Sequence, residues 1–309
     1  MTRTFTYIAR AEDLPATLGG FLRRRGYSAS LLAALRQQGG VWVDGAFRRM
    51  IHSLLAGETV SVTLPPEQAG LCPNTQLKLP ILYADQDILV LDKPANMLVH
   101  PAGLGFDDAV GNFAAACWPD QVFRPIGRLD RNTTGALLVA RHQLAAGLLT
   151  RGPVAKTYYA VAQGELAKDR GRIDLPLLRQ EGPVITYVPH PLGKACSTLY
   201  QVLAKGHGLT LLCLKLLTGR THQIRAHLAG LGHPLAGDRL YGGSQALISR
   251  QALHCGEICF HSLDGATRRV QAPWPPDLLA LLESFDLSPA GLAGLGPGWP
   301  GSALPEKGA

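Results

Sequence analysis

Residues 124–141, RPIGRLDRNTTGALLVAR, constrain this chain more than any other stretch. Ala136 to Ala140 form an unbroken apolar run, which reads as a buried strand leaving the loop before it. That loop carries Asp130 between Arg128 and Arg131 and is closed by Gly135. A carboxylate flanked by guanidinium groups is a poor core residue. On a strand-anchored loop it suits catalysis. A surface ion-pair cluster is the plain alternative, since structural pairs occupy such positions too.

With 309 residues, 46% of them hydrophobic, the chain can build one large domain plus a small one, or two medium ones. The net charge is +7 although only 17% of residues are charged. The excess lies in arginine, which suits phosphate and nucleic-acid contact. Six cysteines show no framework spacing and fit a reducing compartment. The N-terminal MTRTFTYIARAEDLP places charges where a signal peptide would need an apolar core. No apolar run approaches a membrane span. A soluble cytoplasmic protein is expected.

Residues 4–9 alternate and suggest a strand. Leu18, Phe21 and Leu22 then recur at helical spacing, and Ser28 reads as the N-cap of a second helix ending at Gly39-Gly40. VWVDGAF has a tight-turn signal at Asp44-Gly45, and TVSVTL follows Gly57. Arg23, Arg24, Arg25, Arg36, Arg48 and Arg49 decorate this region. Residues 65–79 are polar and broken by proline, as an interdomain linker would be. ILYAD and ILVLDKP predict a hairpin, 107–116 a helix, and HQLAAGLLTRG a helix stopped by Gly152-Pro153. KTYYAVAQG, STLYQVLAK and LTLLCLKLL read as strands, and THQIRAHLAGLG as a short helix. ICFHSL and TRRVQA flank a hairpin signal at Asp264-Gly265, and Pro276 to Phe285 predict a last helix. From Leu287 onward Gly, Pro and Ala dominate, as in a disordered tail. Strands outnumber helices and follow one another, so an α+β fold with a mixed or antiparallel sheet is expected.

Two further segments are dense in chemistry. Leu217 to Gly242 places Ile224, Leu228 and Leu231 on one helical face, with Thr221 as a candidate cap. Arg225 borders that stripe, and a guanidinium buried at the edge of a core needs an anion; Asp130 is the outstanding candidate. His222, His227, His233 and Asp238 invite a metal reading, but His222 and His227 are five apart and do not share a face as an i, i+4 pair would. His254, Cys255, Cys259 and His261 fall on opposite faces of an alternating strand. No metal is expected at either cluster. Lys156-Thr157-Tyr158 on a strand puts Lys156 and Tyr158 on one face, where the tyrosine can stack on a base or move a proton; an ordinary strand aromatic is the plain alternative.

Residues 15–64 resemble the ribosomal-protein S-four-type RNA-binding domain: a Ser-capped helix, then Gly40–Val41–Val43–Asp44–Gly45, then Gly57–Glu58. Residues 80–276 resemble the RluA-type pseudouridine synthases. That family carries H-R-L-D-x-x-T-S-G, K-x-Y, G-R-T-H-Q-I-R-x-H and H-P-[LI]-x-G-D-x-x-Y-G. Here they stand, in order, as Gly127 to Gly135, Lys156 to Tyr158, Gly219 to His227 and His233 to Gly242. Gly127 replaces the usual histidine and Thr134 the usual serine.

The resemblance implies a pseudouridine synthase fold with a mixed, mainly antiparallel sheet, preceded by a small α+β RNA-binding domain. The expected boundaries are 1–66 for the small domain, 67–79 for the linker, 80–286 for the catalytic domain and 287–309 for the tail. It implies that Asp130 is the essential carboxylate, acting as nucleophile or as base, that Arg225 holds it, and that Tyr158 stacks on the target base. Arg128 would fill the gap left by a flipped uridine. Arg131, Lys156, Arg220, His222, Gln223, Arg23, Arg24 and Arg48 complete the expected RNA-contacting set. No cofactor is expected. The partner is RNA, with ribosomal RNA favoured and transfer RNA open, and the chain is expected to be a monomer. A catalytically silent RNA-binding or ribosome-assembly protein on the same fold is the alternative, against which the intact trio Asp130, Tyr158 and Arg225 argues.

Overall fold

The computed structural model of the chain describes residues 3–283 except Ala69 and Leu104. The expected tail from Leu287 lies outside the described residues. The chain begins with β1 (Thr4–Ile8), α1 (Leu18–Arg24), α2 (Ala29–Gln38), β2 (Val41–Val43), β3 (Ala46–Phe47) and β4 (Thr59–Thr63). Thr17 and Ser28 cap the two helices: their hydroxyls accept from Gly20 N and Leu31 N at 3.2 Å each. Gly39, at φ 70°, ends α2 in the left-handed conformation that glycine takes without strain. Asp44 (φ 49°) and Gly45 (φ 75°) make the two-residue turn between β2 and β3. The four strands pair antiparallel in the order β1-β4-β2-β3. Their inner residues Val41, Val43, Val60 and Val62 pack with Leu18, Phe21, Leu31 and Leu35 of the helices.

The rest of the chain adds β5 (Ile81–Ala84), β6 (Ile88–Lys93), α3 (Val110–Cys117), β7 (Arg124–Pro125), β8 (Thr134–Ala140) and α4 (Gln143–Arg151). Then come β9 (Val154–Gln163), β10 (Arg170–Ile173), β11 (Leu177–Gln180), β12 (Thr186–Pro189), β13 (Thr198–Gly206) and β14 (Leu209–Leu216). The chain continues through α5 (Gln223–Gly230), β15 (Leu253–His261), β16 (Thr267–Gln271) and α6 (Pro276–Glu283). The large sheet runs β10-β13-β14-β9-β15-β8-β6-β5, with β16 on β15 and β7 on β8. It is antiparallel except at its centre, where β8 and β15 run parallel. This is the mixed, mainly antiparallel sheet expected from the sequence. Strands β10, β11 and β12 were not foreseen, because their charged and proline-rich sequences lack a clear alternation.

The parallel contact depends on Gly135. It sits at φ 107°, and a Cβ there would lie 2.2 Å from the carbonyl oxygen of Cys255. Only glycine lets the two strands meet at the start of β8. From there β8 is buried at every residue, the reason its run is apolar throughout.

Among the described residues of 65–79 there is no helix or strand. The segment lies against the larger domain: Arg124 is paired with Glu67 through two 2.7 Å bonds, and Asn112 Nδ2 donates to the Cys72 carbonyl at 2.7 Å. The two sheets meet through α4. Leu144 packs into the core of the small sheet, while Ala145 and Leu149 pack into that of the large one. Asp87 adds a polar link, accepting from Arg3 at 2.7 and 3.0 Å and from His142 Nε2 at 2.9 Å. No described helix is long and apolar enough to cross a membrane.

Candidate active site

Asp130 lies on the loop that leads into β8, one of the two parallel strands of the large sheet. Buried donors fix that loop. Lys93, at the end of β6, is wholly buried, and its Nζ donates to the carbonyls of Pro94 (2.7 Å), Met97 (2.8 Å) and Arg131 (2.9 Å). Burial pulls its pKa down to about 7, against the upward pull of Asp130. Arg250 donates to the Asn132 carbonyl at 3.0 Å and is itself clamped by Asp277. Thr133 N closes the turn onto the Asp130 carbonyl at 3.1 Å. Lys93 and Arg250 thus hold consecutive carbonyls of the Asp130 loop.

The arginines flanking Asp130 in sequence do not pair with it. Both Arg128 and Arg131 are exposed. Instead Arg225, on α5, reaches Asp130 Oδ2 with Nη1 at 3.1 Å, as expected. Its main partner is Asp238, whose two oxygens take Nε at 2.7 Å and Nη2 at 2.8 Å. Asp238, weighed only as a metal ligand from the sequence, is almost fully buried and holds the guanidinium as a fork. Arg225 also lies over the Tyr241 ring, 5.0 Å from its centre. Its pKa rises: burial works against the charge, but the two carboxylates outweigh it.

His222 comes close as well, with Nε2 at 3.9 Å from Asp130 Oδ2. The Tyr241 hydroxyl accepts from Tyr187 N at 3.0 Å and is hydrogen-bonded to His222 Nδ1, also 3.0 Å away. Burial lowers the His222 pKa. His222 occupies the N-cap position of α5 at φ 55°, so Thr221 is not the cap. The other histidines weighed in that cluster have protein partners: His227 Nδ1 meets Thr198 Oγ1 at 2.9 Å, and His233 Nδ1 meets the Gln163 carbonyl at 2.9 Å.

Tyr158 and Lys156 share a face of β9 beside Asp130, as their spacing predicts. Tyr158 is buried, and burial pushes its pKa well above the usual 10, with Cys255 and Asp130 adding to the rise. It is therefore a neutral phenol. Lys156 Nζ donates to the Ile126 carbonyl at 3.1 Å, and burial lowers its pKa. A Cβ on Gly127 would come within 2.9 Å of that nitrogen, and Gly127 has φ 79°. The glycine that stands in the usual histidine position leaves the lysine its place.

Arg128 and Asp130 line two clefts, of about 620 and 720 Å³. The first also takes in His222, Arg225, Asp238 and Arg250. The second takes in Lys156, Tyr158 and Arg220. Arg23, Arg24 and Arg48 are exposed beside the small sheet and line neither cleft.

Gln223 does not fit its expected RNA contact. Its Oε1 accepts from Thr218 Oγ1 and Arg220 N, both at 2.9 Å. Its Nε2 donates to the Ser197 carbonyl and Thr198 Oγ1, both at 3.0 Å. Both lone pairs and both protons are used, so the side chain braces the loop carrying Arg220 and His222. Lys93 and Arg250 were missed, and the role of Asp238 as the partner of Arg225 was not foreseen. A lysine ending an apolar strand before proline was the one available signal for Lys93.

The family described as RNA pseudouridylate synthase matches residues 87–230. The chain is 34% identical over 270 residues to the protein called uncharacterized RNA pseudouridine synthase YjbO of Bacillus subtilis, covering 84% of this chain and 95% of that one. It is 32% identical over 285 residues to ribosomal large subunit pseudouridine synthase D of Haemophilus ducreyi, covering 84% and 87%. Among solved structures, human RNA Pseudouridylate Synthase Domain Containing 1 superposes with a TM-score of 0.56 at 30% identity, over 67% of this chain and 89% of that one. With Arg225 on one and Tyr158 on the other of two clefts that share Asp130, the chain belongs to the RluA-type RNA pseudouridine synthases and is an RNA-modifying isomerase.

Proposed function

We propose that this synthase isomerises uridine in ribosomal RNA, with Asp130 as its essential carboxylate and the small N-terminal domain as an S-four-like RNA-binding module. The observation that carries the role of Asp130 is its one-sided anchoring. Oδ2 faces Arg225 and His222, while Oδ1 takes part in no hydrogen bond or ion pair among the described residues. A carboxylate held by one oxygen presents the other to a substrate in fixed orientation.

The chemistry needs one bond broken and one made. In one course Asp130 Oδ1 adds to C1′ as the C1′–N1 bond breaks and uracil leaves with the bonding pair. In the other it removes the C2′ proton as uracil leaves, and returns it later. In both, uracil turns and C5 bonds to C1′, with Asp130 released in the first course. The C5 proton is lost and N1 gains one, so the product is an isomer. Arg225 orients the carboxylate. Tyr158, a neutral phenol at the cleft, supports the uracil ring by stacking. Arg128, which is exposed and lines both clefts, would fill the space vacated by the flipped nucleotide.

Ribosomal RNA is favoured because relatives such as the synthase D of Haemophilus ducreyi are named for the large ribosomal subunit. Tritium release from RNA labelled at C5 of uridine tests the reading. Ribosomal RNA from a strain lacking the protein should release label with wild type and none with Asp130→Asn. Release by the variant would move catalysis to another group, and release only from transfer RNA would replace the substrate.

A further inference from the structure

The small sheet has one face on the helices and one face open. Its antiparallel registers align Thr6 with Ser61, Ser61 with Trp42, and Trp42 with Phe47. Directly opposed residues of antiparallel strands share a face, so these four side chains form a row across the whole sheet. The residues on either side of them along the strands, such as Val41, Val43, Val60 and Val62, point into the core. Trp42 is 42% exposed and Phe47 49%, and their rings meet edge to face at 6.4 Å. Most of the remaining face is hydroxyl: Thr4 and Thr63 lie beside the row with their Oγ1 atoms 3.0 Å apart, and the one large aliphatic side chain on it among the described residues is Ile8, 61% exposed at the end of β1.

The charge next to the two rings is positive. Arg48 and Arg49 follow Phe47 directly, both are exposed, and neither side chain has a partner among the described residues. The nearest acids are already engaged. Asp44 accepts from Thr59 N at 2.9 Å, and Glu58 takes Leu55 N at 2.8 Å and His52 Nε2 at 3.2 Å. Two exposed rings, a strip of hydroxyls and two unpaired guanidinium groups match bases, ribose hydroxyls and phosphates.

We propose that the open face of the small sheet docks a single-stranded stretch of the RNA substrate, with bases on Trp42 and Phe47 and phosphates at Arg48 and Arg49. The proposal deepens the reading of the N-terminal domain as an RNA-binding module and rests on it. The domain is fixed to the catalytic domain through Leu144 and the Asp87 link. RNA held on this face and a uridine in the Asp130 cleft are therefore read at a set separation.

The test uses the full chain and a fluorescein-labelled oligouridylate, followed by anisotropy over a series of salt concentrations. The double variant Trp42→Ala/Phe47→Ala should bind roughly tenfold or more weakly with an unchanged salt slope, because stacking does not release counterions. Arg48→Ser/Arg49→Ser should reduce the slope by about one to two. Trp42→Phe keeps a ring and should bind nearly as wild type. All the altered side chains are exposed, and an unchanged melting temperature verifies the fold. Equal affinity of wild type and the double ring variant overturns the proposal. So does loss of self-association by that variant without loss of RNA affinity, which would make the face a protein interface. If wild type forms no pseudouridine yet the ring variant still loses affinity, the function above falls and the docking face stands.

Discussion

Asp238 grips Arg225 with both carboxylate oxygens, at 2.7 and 2.8 Å, and leaves only Nη1 of the guanidinium to meet Asp130. The arginine is not simply a counter-charge for Asp130. It is a plate fixed from behind, and the fork geometry decides which edge it shows.

Asp238→Asn should therefore lower kcat by about 100-fold while changing RNA affinity little, since a misplaced Arg225 no longer orients Asp130. Stability should fall by about 3 kcal/mol, the scale for breaking a buried pair from one side. Single-turnover kinetics and denaturant titration check the two effects separately. A rise in KM with kcat intact would assign Asp238 to RNA binding instead.

Gly127 and Lys156 should be energetically coupled. Gly127→Ala places a side chain at φ 79°, 2.9 Å from Lys156 Nζ, and should cost about 1–2 kcal/mol in backbone strain alone. Lys156→Met removes the charged end that the new methyl would displace. A double-mutant cycle of unfolding free energies should show a coupling above about 0.5 kcal/mol. Additive effects would mean that the two sites are independent.

Asp87 should make the link between the two domains sensitive to acid. Burial raises its pKa, but hydrogen bonds from His142 and Arg3 outweigh this and hold it at about 2. A carboxylate depressed from 3.8 to about 2 contributes stability that is complete above about pH 4 and lost as the pH falls through about 2. With partial solvent screening this amounts to about 1–2 kcal/mol. Calorimetry of Asp87→Asn should show a lower melting temperature at pH 7 and a smaller difference from wild type at pH 2. An unchanged difference across that window would exclude Asp87 as its source.

Gln223→Ala should behave as a structural lesion. Four hydrogen bonds are lost, and buried partners such as Thr198 Oγ1 and the Ser197 carbonyl lose a donor. The expected cost is about 2–3 kcal/mol. A wild-type unfolding curve with weakened RNA binding would restore Gln223 to the RNA-contacting set.

Much of this molecule is legible in one dimension because its signals are local. Capping by Ser28, the Asp44-Gly45 turn and the buried run Ala136–Ala140 each depend on residues within a few positions of one another. Local signals also fail locally. Thr221 looked like a cap, yet His222 takes that place in a left-handed conformation. Gln223 looked free to meet RNA because the acceptors of its Nε2, the Ser197 carbonyl and Thr198 Oγ1, lie at the start of β13, well before it in the chain.

The sequence by itself determined most of the elements, the residue types of the site and the need of a buried Arg225 for an anion. Period, capping and turn chemistry are short-range, and the cost of burying a charge unpaired does not depend on topology. Only the tertiary structure decided the pairing. It took Asp130 away from Arg128 and Arg131, its neighbours in the chain, and gave it to an arginine 95 residues on. It gave that arginine a second carboxylate and seated Lys93 under the loop. Those partners are fixed by which strands adjoin at the centre of the sheet, where Gly135 lets β8 meet β15, and by the direction each hydrogen bond must take once they do.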